Sequence, residues 1–312
     1  MSSIILRSES ALQPDNGAAF DELAAQVERT VAPSSARVYR QTYDVWRAFC
    51  RANGLDALDL RPSVVIAFLT DQDTTKATRQ RQLSAMRKLA QMLYILKPTD
   101  DTRRLVEALK VTKAPAGDKG SERTRKALTP AEADKMLRIW NGATPADARN
   151  RALVAVLLLG GIRRSEAAGL RWRDVDFENG VLHVRHGKGD KARDVPLAGD
   201  YALDALRRWQ LLQPSGYEWV FTPVERGGKV GRDRPLTGTD VYRIWNATAG
   251  AAGVESKPHD ARRTFITEAL ATGTPLATVQ AAAGHQQGET TLRYAQAVDA
   301  RRARKELRLR YG

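Results

Sequence analysis

The sequence predicts a mainly α-helical protein with two domains: a helical N-terminal domain, and an α+β C-terminal domain that contains a small antiparallel sheet. The chain has 312 residues, which is enough for two domains of ordinary size. Helical periodicity fills residues 18–112 and leaves no strand candidate there. The clearest β signal is a pair of short apolar runs at 181–197, joined by a glycine-rich tip.

The first domain is predicted as a helical bundle over residues 18–112. Residues 1–17 contain Ser, Asn, Gly and Pro without periodicity, and they predict a flexible arm with no chemistry. A helix over 36–54, capped by Ser34 or Ser35, has a core face at a spacing of three or four residues: Tyr39, Tyr43, Trp46 and Cys50.

An exposed linker is predicted at residues 113–126, where Pro, Gly, Ser and charged residues occur without apolar periodicity. The second domain, residues 127–312, then begins with a helix start. Thr129 is its expected cap, Pro130 lies in its first turn, and Glu132 follows three residues after the cap.

The charge of the chain favours a polyanionic partner, because 50 Lys and Arg outnumber 36 Asp and Glu. Nucleic acid is the first expectation and an anionic membrane surface the second. No apolar run approaches the ~20 residues of a membrane span, and the N-terminus lacks a secretory pattern, so we expect a cytoplasmic protein. Cys50 is the one cysteine, and we expect it in the core.

One predicted helix of the first domain is basic, with Lys76, Arg79, Arg81, Arg87 and Lys88. Helical spacing places Lys76, Arg79 and Arg87 on a shared side, from which they could reach DNA phosphates. The alternative is an ordinary solvated helix face, and the charge pattern alone leaves both interpretations open.

Four motifs of the second domain carry a family resemblance: GIRRSEAAGLRW at 161–172, HGKGDK at 186–191, HDARRTF at 259–265 and AGHQQGETTLRY at 283–294. In order and spacing they resemble the tyrosine recombinase (phage integrase) family. The match spans about residues 127–300, and the first domain resembles that family's DNA-binding (core-binding) domain more loosely. The resemblance implies a catalytic second domain that needs no metal and no cofactor.

The resemblance also implies roles for individual residues. The expected catalytic set is Arg163, Lys188, His259, Arg262, His285 and the nucleophile Tyr294, with Glu166 as a supporting acid. In the family the motif at 259–265 commonly reads H-x-L-R-H, whereas here it reads His-Asp-Ala-Arg-Arg, which resembles the Cre-like branch in its H-x-A-R form. The extra Arg263 is expected to contact DNA or to pair with Asp260, and Lys191 is the local competitor of Lys188.

The residue types suit phosphodiester exchange independently of the resemblance. Tyr294 offers a phenol that is weakly nucleophilic unless nearby cations stabilise its ionised form. Arg163 and Arg262 can each present a planar fork to a phosphate oxygen, which could replace a divalent metal. A lysine on a flexible hairpin has reach, but its role in protonating a leaving oxygen is implied largely by the resemblance.

Each of these residues alone would have an ordinary structural explanation. A lone histidine or tyrosine is most often a satisfied structural residue, and His183 and His186 are left in that class. A two-histidine zinc site is conceivable, although no carboxylate has a convincing ligand spacing. The joint occurrence of the motifs favours the catalytic interpretation.

The predicted function is therefore site-specific DNA recombination through a 3′-phosphotyrosine and a Holliday junction. We expect a homotetramer on two DNA duplexes, acting at a specific and roughly symmetric site in the cytoplasm, associated with the nucleoid. A C-terminal helix at about 298–310 is expected to pack on a neighbouring protomer, although packing on its own chain is the alternative. A type IB topoisomerase or a telomere resolvase stays open, as does a DNA-binding accessory protein that does not cleave.

Overall fold

A computed structural model describes residues 17–116, 127–185 and 192–284, together with residues 291, 292, 294–296 and 298. The chain divides into two compact units, 1–123 and 124–312. The division falls inside the segment that the sequence predicts as a linker. The predicted arm up to residue 16, the hairpin tip at 186–191, and the tail beyond Val298 lie outside the described residues.

The described part of the first unit contains helices only, as predicted. They are α1 (Gly17–Thr30), α2 (Pro33–Ala52), α3 (Pro62–Asp71), α4 (Lys76–Leu96) and α5 (Asp100–Val111). Trp46 is fully buried, donates its indole N–H to the Ala57 carbonyl at 2.9 Å, and packs edge-on against Phe68. Cys50 lies in this core, where burial raises the pKa of its thiol to about 12.

Helix starts follow the capping chemistry of the sequence with one correction. Thr75 caps α4 and Thr129 caps α6 (Pro130–Arg138), each through its hydroxyl oxygen. The prediction of a serine cap for α2 is wrong, because Pro33 occupies the first turn and Ala32 is the N-cap. Proline suits that position, since the first N–H groups of a helix have no partner within the helix.

The second unit combines helices with the small predicted sheet. Its helices are α6 (Pro130–Arg138), α7 (Pro145–Leu159), α8 (Arg164–Ala168), α9 (Tyr201–Gln210), α10 (Gly238–Ala252), α11 (Pro258–Ala271) and α12 (Leu276–Ala283). Strands β2 (Val181–Val184) and β3 (Arg193–Pro196) form the predicted hairpin, with Leu182 opposite Val195. A short strand β1 (Val175–Asp176), which the sequence analysis did not anticipate, completes the antiparallel order β1-β2-β3.

Helix α7 runs through the core of the second unit. Its residues 152–158 are all buried, and α7 packs against α9 and α11. The helix ends at Gly160, and Gly161 follows with φ of +59°. The turn at Gly161 leads directly from the buried helix α7 into α8. Among the described ranges, no helix is long and apolar enough to cross a membrane.

Candidate active site

The site is organised around the carboxylate of Glu166 on α8. This side chain is only 2% exposed, and it accepts hydrogen bonds from the backbone N–H of Arg163 at 2.8 Å and from Arg163 Nη1 at 2.6 Å. Arg163 is the N-cap of α8, so a carboxylate three residues later can turn back to its N–H. The local sequence thus holds Arg163 at the helix start.

A second arginine, Arg193 at the start of β3, binds the same carboxylate in a fork. Its Nη1 lies 3.0 Å from Glu166 Oε1 and its Nη2 lies 2.7 Å from Oε2. Burial raises the pKa of Glu166, but the hydrogen bonds from Arg193 and Arg163 outweigh it and hold that pKa at about 2. Glu166 is therefore ionised at neutral pH.

The sequence analysis did not single out Arg193, although one signal was present. Arg193 lies two residues before Val195 on β3, so both project from the same face of the strand, and Val195 is fully buried. A cation on the core side of a strand needs a buried partner. Strand alternation alone could therefore have predicted a role for Arg193 inside the protein.

Three arginines converge on the C-terminus of α12. Three successive carbonyl oxygens each accept a hydrogen bond from one of them: Ala282 from Arg193 Nε at 2.9 Å, Ala283 from Arg262 Nη2, and Gly284 from Arg163 Nη2 at 3.1 Å. The last carbonyls of a helix lack partners within the helix and carry the negative end of its dipole, so guanidinium groups stabilise them. Gly284 ends the helix in the left-handed conformation.

Arg262 on α11 is almost completely buried and also donates from Nη1 to the carbonyl oxygen of Gly161 at 2.9 Å. Burial, followed by the charges of Arg163 and Arg193, lowers the pKa of Arg262 to about 10. Arg262 is still protonated at neutral pH. Arg163 and Arg193 bind the Glu166 carboxylate, whereas Arg262 binds only backbone carbonyls among the described residues, so the cluster carries a local excess of positive charge suited to an anion.

His259 lies in the first turn of α11 and is exposed. It precedes Arg262 by three residues, and this spacing places both side chains on the same side of the helix. The helix start is fixed by Asp260, whose carboxylate accepts the backbone N–H of Lys257 at 2.8 Å. Arg263, the neighbouring predicted DNA contact, is half-buried.

Tyr294 has helical backbone and a half-buried side chain. It packs against a small apolar cluster that contains Ile266 and Leu270 of α11, Val279 and Ala283 of α12, and Val298. Its phenol is near enough to Arg262 that the ionised form would raise the pKa of that arginine. The structure therefore brings Arg163, Glu166, Arg262 and Tyr294 into one region of the second unit.

Three other predicted site residues, Lys188, Lys191 and His285, lie outside the described residues. Strands β2 and β3 approach the lysine-bearing tip from either side. His285 directly follows Gly284, the α12 cap on which Arg163 is hydrogen-bonded. Among the described side chains, no group of three or more His, Cys, Asp or Glu could hold a metal ion.

The basic helix of the first unit differs from the prediction in two of its five residues. Lys76, Arg81 and Lys88 are exposed on α4. Arg79 is only 1% exposed, and its guanidinium donates to the carbonyl oxygens of Ala116 and, at 2.9 Å, of Gln72. A buried guanidinium committed to backbone carbonyls cannot reach a phosphate, so that assignment of Arg79 is wrong.

Arg87 has a structural function at the end of α5. It donates to the carbonyl oxygens of Leu109 at 2.8 Å, Lys110 at 3.2 Å and Thr112 at 2.6 Å. These groups belong to the last turn and C-cap of α5, where carbonyls lack helical partners. The shared side of Arg79 and Arg87 therefore faces the protein, whereas Arg81 and Lys88 face solvent.

Comparison with known proteins identifies the family. The model of the phage integrase family matches residues 126–301, and that of the phage integrase N-terminal SAM-like domain matches residues 22–95. The chain belongs to the phage integrase family. It is a tyrosine-type site-specific recombinase, and the fold and enzyme class expected from its motifs are confirmed.

Relatives within the family match along most of their length. Tyrosine recombinase XerC of Lacticaseibacillus casei is 31% identical over 295 residues, which cover 89% of this chain and 92% of the relative. Tyrosine recombinase XerD of Yersinia pestis is 30% identical over 280 residues, covering 87% and 89%. Like these relatives, this integrase-family chain is a tyrosine recombinase.

Solved structures share its fold. The XerH site-specific recombinase bound to a palindromic difH substrate, in a post-cleavage complex, superposes with a TM-score of 0.69 at 19% identity, covering 92% of this chain and 84% of that one. The Tn1549 transposon integrase in complex with transposon right end DNA gives 0.63 at 16% identity, covering 91% and 98%. Both are recombinases captured on DNA.

Proposed function

We propose that Tyr294 attacks the scissile phosphate of a DNA strand and that Arg163 and Arg262 hold that phosphate. The observation that carries this proposal is the arginine cluster on Glu166 and α12, with Tyr294 packed beside it. To acceptors among the described residues, each of the two guanidinium groups donates two hydrogen bonds, whereas a guanidinium has five N–H groups. Further donors on each fork are therefore available to non-bridging phosphate oxygens, where charge develops in the transition state.

The exchange conserves the number of phosphodiester bonds. A bond forms between the Tyr294 oxygen and phosphorus, and the bond from phosphorus to the 5′ oxygen breaks, which leaves a 3′-phosphotyrosine. The phenol proton passes to a histidine, with His259 and His285 as candidates, and Lys188 protonates the departing 5′ oxygen. The 5′ hydroxyl of a partner strand then reverses the reaction, and two such exchanges form and resolve a Holliday junction.

Double-stranded DNA is the substrate and spans both units in this proposal. In the first unit Lys76, Arg81 and Lys88 contact phosphates from the exposed side of α4, and in the second unit Lys191 and Arg263 do so. The recognition site is roughly symmetric, because a pair of identical protomers reads a pair of half-sites. We place the reaction in the cytoplasm, on nucleoid DNA.

The active assembly is a homotetramer on two duplexes, joined by C-terminal helices at about 298–310. An apolar cavity of about 420 Å³ in the second unit supports this proposal, since it could accept the apolar side of a neighbour's helix. Its walls come from α6, α7, α11, α12 and the end of β3, and include Leu137, Leu158, Leu197, Phe265 and Val279. Such an exchange of helices couples the activities of the protomers.

A nicked suicide substrate tests the proposed chemistry. Its sequence is taken from DNA that the protein protects against nuclease digestion. The nick lets the short fragment that carries the new 5′ hydroxyl diffuse away after cleavage. The wild-type chain should form a covalent protein–DNA adduct, and Tyr294→Phe should form none. Tyr217→Phe is the matched control, because it removes a hydroxyl that is bonded to the Gly231 carbonyl. Adduct formation by Tyr294→Phe would contradict the proposal.

A further inference from the structure

Arg193 links three separate elements of the second unit. From the start of β3 it binds both oxygens of Glu166 on α8, and its Nε donates to the carbonyl oxygen of Ala282 on α12. Its side chain is only 10% exposed. One side chain therefore sets the distance from the sheet to the carboxylate that holds Arg163 and to the helix end that precedes His285.

Close packing, in addition to the hydrogen bonds, holds the Arg193 side chain in place. A Cβ atom placed on Gly284 would lie 2.7 Å from Arg193 Cδ and 2.8 Å from its Nε, closer than real Cβ contacts. Gly284 also has a φ of +60°, which favours glycine. The chain at the end of α12 thus passes directly over the Arg193 side chain.

Position along the strand gives Arg193 a second connection. It is the first residue of β3 and pairs with Val184, the last residue of β2, so it stands at the described end of the hairpin that carries Lys188 at its tip. Arg193 therefore connects this end of the hairpin, through Glu166, to Arg163.

We propose that Arg193 is a positioning residue, which couples the β2–β3 hairpin to the phosphate-holding arginine Arg163 through Glu166. This inference rests on the proposed function, in which Arg163 holds the scissile phosphate. Arg193 fixes both carboxylate oxygens, and the orientation of Oε1 in turn fixes Arg163 Nη1. Small misplacements of a phosphate-holding group cost large factors in rate, because the bound geometry supplies much of the catalysis.

A purely structural ion pair makes a different prediction. In that case replacing Arg193 would change the stability of the folded protein, and the folded fraction would cleave DNA at the wild-type rate. The positioning role instead predicts slower cleavage by a chain that is folded and binds DNA normally. Replacing Arg193 should also cause no further slowing of cleavage once Glu166 no longer offers two carboxylate oxygens.

The experiment compares Arg193→Lys with the wild-type chain and with Arg207→Lys. Arg207 is an exposed arginine paired with Asp204, and so controls for the same chemical change. Thermal unfolding and DNA affinity are measured first, and single-turnover adduct formation on the suicide substrate follows at a temperature where every variant is folded. Arg193→Gln repeats the test if the lysine variant does not fold, because its amide keeps a donor toward Glu166.

Arg193→Lys should bind DNA within about twofold of wild type but form the adduct about 100-fold more slowly. In the background of Glu166→Gln, Arg193→Lys should cause no further slowing. A folded Arg193→Lys that cleaves at the wild-type rate, or an additive loss in the double variant, would overturn the role of Arg193 alone. Absence of an adduct from wild type would instead overturn the proposed function, and the role of Arg193 with it.

Discussion

Arg262 donates from Nη1 to the carbonyl oxygen of Gly161 at 2.9 Å, across 101 positions of the sequence. This bond ties the helix that carries His259 and Arg262 to the turn that carries Arg163. Glycine is strongly favoured in this turn, for two reasons. Gly161 has a φ of +59°, and a Cβ atom there would lie 2.4 Å from Cδ1 of Phe265, one helical turn beyond Arg262.

Gly161→Ala should therefore destabilise the second unit and slow cleavage. The left-handed backbone costs an alanine about 1 kcal/mol, and the clash with the Phe265 ring adds about 2 kcal/mol of overpacking. Gly253→Ala is the matched control, because Gly253 has a φ of +65° and nothing within 4 Å of an added Cβ. Urea unfolding measures both variants, and equal losses in the two would contradict this account of the turn.

Acid should weaken the cluster through Glu166. Its pKa is lowered to about 2 in the folded protein from an ordinary value of 4.5. The stabilisation is therefore complete above pH 4.5, and is lost as the pH falls from there through 2. Because one pKa unit corresponds to about 1.4 kcal/mol, the total contribution is about 3 kcal/mol, of which about 1 kcal/mol is lost by pH 3.5.

Glu166→Gln isolates the contribution of Glu166 to stability, because it removes the titrating group and leaves every other acid in place. The variant should be less stable than wild type at pH 6, and the difference between their free energies of unfolding should shrink by about 1 kcal/mol at pH 3.5. Urea unfolding at the two pH values checks this. A difference that does not change with pH would mean that Glu166 is not held ionised by its two arginines.

The exposed and the buried basic residues on α4 should have different effects on DNA affinity. Lys88→Ala removes a proposed phosphate contact on the exposed side of α4, so the slope of log affinity against log salt concentration should fall by about 1. Arg79→Lys should leave that slope unchanged and lower the thermal stability of the first unit, since Arg79 holds backbone carbonyls. Affinity measured at several salt concentrations decides this, and a reduced slope for Arg79→Lys would contradict the assignment.

Local sequence signals predicted most of the fold, because caps and helical periodicity depend on neighbouring residues. The helix start at Thr129 and the core position of Cys50 are examples. The same spacing rule misplaced Arg79. Periodicity tells which side chains share a side of a helix, whereas the choice of the side that packs depends on α5 and on Ala116, a segment distant in sequence.

The site was predictable as a set of motifs but not as an arrangement. The motifs named Arg163, Glu166 and Arg262, and the structure brings them together on the end of α12. Arg193 was missed because its partners lie 27 and 89 positions away in sequence. Its role comes from tertiary packing, which no local pattern records.

The most direct test of the central claim is to locate the protein–DNA bond. The adduct from the suicide substrate is digested with nuclease and trypsin, and the peptides are sequenced by mass spectrometry. Cleavage after Arg293 and Arg301 releases peptide 294–301, which contains Tyr294 as its one tyrosine. A nucleotide joined through phosphate to Tyr294 is the expected result. A nucleotide on any other residue would contradict the central claim.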